Sequence, residues 1–159
     1  MGSRVKTVAL DSMAEQKGVA AQTVEEELAS TLESVDQASE TVLRTAREMG
    51  FDEDEQHRIE ISVRECMVNA VVHGNCYNAR KKVKLVIART ADRLEIRIAD
   101  EGEGFDMSKL PDPLAEENIL RQSGRGVLMI QAFMDEFHVQ QRNPLGTEVR
   151  MVKYLPKAE

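Results

Sequence analysis

The chain has 159 residues, and its 42% apolar and 31% charged residues describe a single folded domain rather than a disordered chain. Its 28 acidic against 21 basic residues leave a net charge of -7, which argues against non-specific binding to nucleic acid and against docking on anionic membranes. Two cysteines, Cys66 and Cys76, are too few for a disulfide framework, and no apolar run approaches the ~20 residues that span a bilayer, so a reducing cytoplasm is the expected setting.

Residues 1–22 mix Gly, Ala, Ser, Lys and Gln without periodicity and without the apolar stretch of a secretion signal. They are expected to form a flexible tail, leaving residues 23–159 as one domain. Residues 24–31 offer a weak strand. Residues 36–49 read as a helix, because Val35, Ala38, Val42, Ala46 and Met49 recur at helical spacing and Gly50 follows. Asp52 opens a second helix, with Glu55 three residues on in a capping-box arrangement. The acidic run from Asp52 to Glu55 suits a helix N-terminus better than a metal site. This helix reaches about His73, where Gly74-Asn75 ends it. Residues 82–90 and 93–100 alternate polar and apolar and read as a strand pair turning at Ala91-Asp92. Residues 102–123, rich in Gly, Pro, Asp and Glu, form a long connection. Residues 124–134 read as a third helix, and 137–142 and 147–154 as two closing strands. The expected architecture is α/β: a two-layer sandwich with a mixed, mostly antiparallel sheet and helices on one face. Met67, Met129, Met134 and Met151 fall at core-facing positions.

The second helix carries two faces. At about 100° per residue, Ile59, Val63, Cys66, Met67, Ala70 and Val71 cluster toward a core. Glu65, Asn69 and His73 form a separate polar stripe. Glu65 and Asn69 are i, i+4 neighbours. Such a carboxylate can take a proton from a hydroxyl, and such an amide oxygen suits Mg²⁺. The same stripe is also what a solvated helix face looks like, and Cys66 reads as packing.

Two glycine segments flank the long connection. Asp100-Glu101-Gly102-Glu103-Gly104-Phe105 closes a strand, where glycines let the backbone turn sharply and approach a ligand. An ordinary acidic turn has the same composition. Gly124-Arg125-Gly126 opens a helix, a natural place for phosphate, with Arg125 as a charged clamp. A bare Gly-x-Gly is weak evidence alone. The length of the connection between the two fits a lid over a nucleotide.

Together these stretches resemble the GHKL (Bergerat-fold) ATPases. Glu65-Cys66-Met67-Val68-Asn69-Ala70-Val71-Val72-His73-Gly74-Asn75 resembles their N box. Asp100-Glu101-Gly102-Glu103-Gly104-Phe105-Asp106 resembles the first glycine box, and Ser123-Gly124-Arg125-Gly126-Val127-Leu128-Met129-Ile130 the second. Gly146-Thr147 falls where that family places a threonine near the adenine. Within the family the resemblance is to anti-sigma-factor serine/threonine kinases of the RsbW type, over about residues 24–154.

The resemblance implies ATP and Mg²⁺ as cofactors. It implies Glu65 as general base, Asn69 as Mg²⁺ ligand and Asp100 as acceptor for the adenine 6-amino group. Gly102 and Gly104 would pass close to the nucleotide, Gly124, Arg125 and Gly126 would meet the phosphates, and Thr147 would support the adenine end. An acceptor-only carboxylate favours adenine, since guanine would present a carbonyl oxygen to it. The implied function is phosphorylation of a Ser or Thr on an anti-anti-sigma antagonist of the STAS type, alternating with sequestration of a sigma factor or other regulator, with a homodimer in the latter state. Two rivals are an ATP-binding interaction module without kinase activity and the catalytic domain of a histidine kinase. Histidine kinases usually carry Asn where Glu65 stands, and none of His57, His73 and His138 lies in a phosphoacceptor hairpin.

Overall fold

A computed structural model of the chain describes residues 5–9, 22–103, 126–142 and 144–157. In chain order these form β1 (Val5–Ala9), β2 (Gln22–Ala29), α1 (Leu32–Met49), α2 (Glu53–Val68), a π-helical segment (Asn69–Gly74), β3 (Lys82–Arg89), β4 (Arg93–Ala99), α3 (Gly126–Phe133), β5 (Glu136–Gln141) and β6 (Thr147–Tyr154). The strands make one sheet in the order β1-β2-β3-β4-β6-β5. Expected as mixed and mostly antiparallel, it is antiparallel at all five described pairings.

Alternation along the strands divides the sheet into two faces. Leu28 pairs with Val83, Leu85 with Ile98, Ile87 with Ile96, and Ile96 with Met151, so these side chains share one face. All of them are buried, together with Val35, Ala38, Val42 and Ala46 of α1, Ile59, Val63, Cys66 and Met67 of α2, and Ile130 of α3. Each large aliphatic side chain so buried contributes about 1.5–3 kcal/mol. The opposite face carries charge pairs, among them Lys84 with Glu25 at 2.9 Å and Arg150 with Glu95 at 2.8 Å. Arg97, His138, Gln140, Glu148 and Arg150 line a shallow cavity of about 340 Å³ there.

Several elements differ from expectation. The stretch expected as a tail contributes β1, which pairs antiparallel with β2, and Gln22, the first residue of β2; the rest of it lies outside the described residues. Backbone pairing on a sheet edge gives order to a five-residue segment whose side-chain pattern alone does not demand it. Helix α1 begins at Leu32, ahead of Asp36, and the Asp36 carboxylate instead accepts from Arg64 of α2 at 2.9 Å. Gly50 ends α1 at φ 95°, the left-handed conformation that suits glycine. Asp52 caps α2 by accepting from the Glu55 backbone N–H at 2.8 Å, but only half of the capping box forms. The Glu55 carboxylate turns to Arg58 at 2.5 Å and to Lys153 at 2.7 Å. Met67, Met134 and Met151 are buried, whereas Met129 is half-buried and outside the core cluster. The connection expected as a lid lies almost wholly outside the described residues. Among the described residues, no helix is long and apolar enough to cross a membrane.

Candidate active site

The apolar face of α2 seats the helix on the sheet and leaves Glu65 and Asn69 half-buried at its C-terminal end. Helix α3 packs on α2 in turn. Its first residue, Gly126, lies directly against the Glu65 carboxylate. A Cβ at Gly126 would collide with Glu65 Oε2 and come within 2.9 Å of Cδ. Two residues 61 positions apart in the chain are thus brought into contact, and only glycine permits it. Behind them Cys66 turns inward, its thiol reaching Met151 Sδ at 3.6 Å. Burial pushes the Cys66 thiol well above its ordinary range, with the neighbouring Glu65 charge adding to the effect, so it stays neutral and packs.

Asp100 forms the second centre, at the end of β4. Its backbone N–H donates to Thr147 O at 2.9 Å, and its Oδ1 accepts from the N–H groups of Gly102 at 2.9 Å and Thr147 at 3.2 Å. Thr147 therefore holds the carboxylate through its backbone. Three glycines crowd round this residue. A Cβ on Gly74 would strike the Asp100 carboxylate, one on Gly102 would strike the Gly74 backbone, and one on Gly146, at φ 114°, would strike the Asp100 carbonyl. Arg142 Nη1 donates to the Asp100 carbonyl at 2.8 Å. Burial raises the Asp100 carboxyl above the usual aspartate range, opposed by the Gly102 and Thr147 hydrogen bonds and by the charges of Arg142 and Lys81.

The π-helical segment joins the two centres. It starts at Asn69, next to Glu65, and ends at Gly74, against Asp100. Its widened turn is closed by the Asn75 N–H on Ala70 O at 2.8 Å, five residues back. Periodicity at 3.6 residues holds no signal for such a turn. His73, placed on the stripe with Glu65 and Asn69, is exposed at its end.

Asn75 was not singled out by sequence and is a principal brace of the site. It is 1% exposed. Its Nδ2 donates to Ser30 Oγ at 2.9 Å and to Lys82 O at 3.1 Å, and its Oδ1 accepts from Glu101 N at 2.7 Å. One amide thus ties β2, β3 and the loop after Asp100 to the end of the π-helical segment. An asparagine directly after a helix-ending glycine was the available signal.

Gly104, Gly124 and Arg125, assigned to the nucleotide by sequence, lie outside the described residues. Of the rest, Glu65 and Gly126 meet near the end of the π-helical segment that Asn69 begins, and Asp100, Gly102 and Thr147 meet at the other. The residues present fit an adenine nucleotide. Asp100 Oδ2 receives no hydrogen bond among the described residues, faces the space that a Cβ on Gly74 would fill, and can accept from an amino group. Among the described residues no group of three or more His, Cys, Asp or Glu side chains could hold a metal. A cation beside Asn69 would draw its remaining oxygen ligands from phosphates and water, the usual manner for Mg²⁺.

Residues 28–153 match the histidine kinase-like ATPase domain, a span that begins in β2 and ends in β6. The chain is 31% identical to the serine-protein kinase RsbW of Oceanobacillus iheyensis over 125 residues, covering 75% of this chain and 78% of that protein. It is 33% identical to the serine-protein kinase RsbW of Bacillus subtilis over 121 residues, covering 72% and 74%. It is 31% identical to the anti-sigma F factor of Bacillus subtilis over 108 residues, covering 67% and 74%.

Proposed function

The chain belongs to the histidine kinase-like ATPase family, and from that premise we propose that it is an ATP-dependent serine/threonine protein kinase and anti-sigma factor of a partner-switching system. The observation that carries this reading is the Glu65 carboxylate held against Gly126 at one end of a short helical turn whose other end seats the Asp100 carboxylate.

Bound Mg-ATP supplies the γ-phosphoryl group and the cation that offsets its charge. Asp100 orients the adenine by accepting from its 6-amino group, with Gly102 and Thr147 fixing the carboxylate. Asn69 offers an oxygen to Mg²⁺. Gly126, with Gly124, Arg125 and Gly104, attends the phosphates. Glu65 takes the proton from the attacking hydroxyl of a partner's serine or threonine, whose oxygen bonds to the γ-phosphorus as the bond to the leaving ADP breaks. The acceptor is a STAS-type anti-anti-sigma protein. The alternative partner is a sigma factor or related regulator, held by a homodimer in the cytoplasm. Overlapping surfaces for the two partners would make them mutually exclusive.

The test is transfer of γ-labelled phosphate to a STAS-domain protein with Mg²⁺ present. Acid-stable label on its serine from the wild type, and none from a Glu65→Gln variant that still binds ATP, is expected. ATP binding without any transfer from the wild type would leave an interaction module. Acid-labile label would leave a histidine kinase.

A further inference from the structure

Lys153 stands where the core pattern calls for an apolar side chain. It is the register partner of Leu94, which is fully buried, and so lies on the face of β6 that meets the helices. It is only 8% exposed. A buried ammonium is costly unless it is paired and hydrogen-bonded. Both conditions hold. Its Nζ lies 2.7 Å from Glu55 Oε2, at the start of α2, and donates to the Phe133 carbonyl at 2.7 Å, at the end of α3. A cation there satisfies a terminal carbonyl and complements the negative end of the helix.

The other bonds around that end come from the same strand. Asp135 N donates to Val152 O at 2.9 Å, and Tyr154 N donates to the Asp135 carboxylate at 2.7 Å. The C-terminus of α3 is therefore fastened to β6, while Gly126, seven positions before Phe133, sits on Glu65. A helix of this length is not stable by itself and is placed by what holds its ends.

We propose that Lys153 is a positioning residue for phosphotransfer: with Glu55 it anchors the C-terminus of α3 so that Gly126 stays seated on the Glu65 carboxylate. Lys153 touches no reacting atom. It acts through the helix, and its effect falls on the rate of transfer rather than on adenine binding, because Asp100 and its glycines are held by other bonds. This inference rests on the kinase reading, with Glu65 as base.

The experiment compares the wild type, Lys153→Met and the double variant Glu55→Gln/Lys153→Met. Each is followed by transfer of γ-labelled phosphate from Mg-ATP to a STAS-domain protein, and by backbone amide exchange. The double variant removes the stranded carboxylate and restores folding if Lys153→Met alone is unstable. Both variants should lose roughly tenfold or more in kcat, as expected when a reacting geometry loosens. Their KM for ATP should change by less than their kcat, because the adenine contacts are untouched. Amides of α3 should exchange faster while those of β3 and β4 do not. Recovery of kcat in the double variant would overturn the proposal, since the loss would then come from the unpaired Glu55 charge. So would a wild-type rate in a variant whose α3 amides exchange faster. Absence of transfer from the wild type itself would instead remove the kinase reading, and the anchoring role with it.

Discussion

Gly126→Ala separates chemistry from folding in this protein. A methyl group at that position would collide with Glu65 Oε2 and approach Cδ at 2.9 Å and Cγ at 3.4 Å. Ordinary carbon contacts lie at ~3.5–4.0 Å, so the carboxylate must withdraw by on the order of 1 Å. It can do so, because it is the far end of a flexible side chain. The backbone of α3 need not move, and alanine is a better helix former than glycine. Thermal stability should therefore hold or rise slightly. A displacement of that size in a reacting group costs about 10²-fold in rate, or about 2.7 kcal/mol of transition-state stabilisation. The assay is phosphotransfer at saturating Mg-ATP, alongside nucleotide titration and thermal melting. Expected are a kcat lower by about 10²-fold and an unchanged melting profile, with any loss of ATP affinity through the phosphate side smaller than the loss in kcat. A Glu65→Gln/Gly126→Ala variant should be no slower than Glu65→Gln, since both changes act through one carboxylate. Wild-type turnover by a folded Gly126→Ala protein would refute the reasoning. Gly102→Ala is the contrast. Its Cβ would meet Gly74 backbone atoms at 2.6 and 2.9 Å, so two chain segments must part and nucleotide binding should fail.

Asp100 and its surroundings predict a pH profile for binding. Burial raises this carboxyl, and only its ionised form is purely an acceptor, so ATP affinity should fall as pH drops from neutral through the raised value; Arg142→Gln should move that fall to higher pH, and Asp100→Asn should bind weakly with no such limb, in titrations at constant ionic strength. Glu26 predicts a pH profile for stability. It lies on the core face of β2, accepts from Thr41 Oγ1 at 3.3 Å, and burial raises its pKa despite the nearby Arg44. Because the folded value lies above the unfolded one, its favourable contribution is full below the unfolded value and is lost as pH rises through the folded one. Glu26→Gln should therefore melt higher than the wild type at neutral pH, with the gap closing in acid. Asn75→Ala leaves the Glu101 N–H and the Lys82 carbonyl without their partner. A loss of about 1–3 kcal/mol in chemical denaturation is expected, with weaker ATP binding as the loop after Asp100 loosens.

What could be read in the chain followed from local period. The apolar buried residues of α2, Ile59, Val63, Cys66 and Met67, emerged because burial against one surface imposes the 3.6 spacing on any sequence that folds there, whereas the buried Ser62 did not. Strands β3 and β4 emerged because one of their faces is charged and the other is not. What could not be read depends on partners distant in sequence. The π-helical segment exists so that Gly74 can reach Asp100, and nothing between Asn69 and Gly74 records that contact. Lys153 reads only as a charge out of place at a core position of an alternating strand until Glu55 and Phe133 are seen to enclose it. β1 is an edge strand, and edges carry weak patterns. The site was legible only as motifs, since neither spacing nor hydropathy states that residues 65 and 126 touch.

The two carboxylates of the site are built by one device. Each sits where a glycine from another element has removed a side chain: Asp100 against Gly74, Glu65 against Gly126. Close backbone approach places each carboxylate without an ion pair to it among the described residues, so each remains able to accept a proton or a hydrogen bond. The supports differ, and so do the consequences. Asp100 is held by Gly102, Thr147 and Arg142 through short-range bonds within the sheet end, while the contact to Glu65 depends on a helix anchored at its far terminus by Lys153. On the proposed reading, the base-recognition end is held by more direct bonds than the transfer end. A partner protein that shifts α3 by a fraction of its length could change the rate of phosphotransfer while the nucleotide stays bound, which is the property a switch needs if the same ATP complex is to serve two partners.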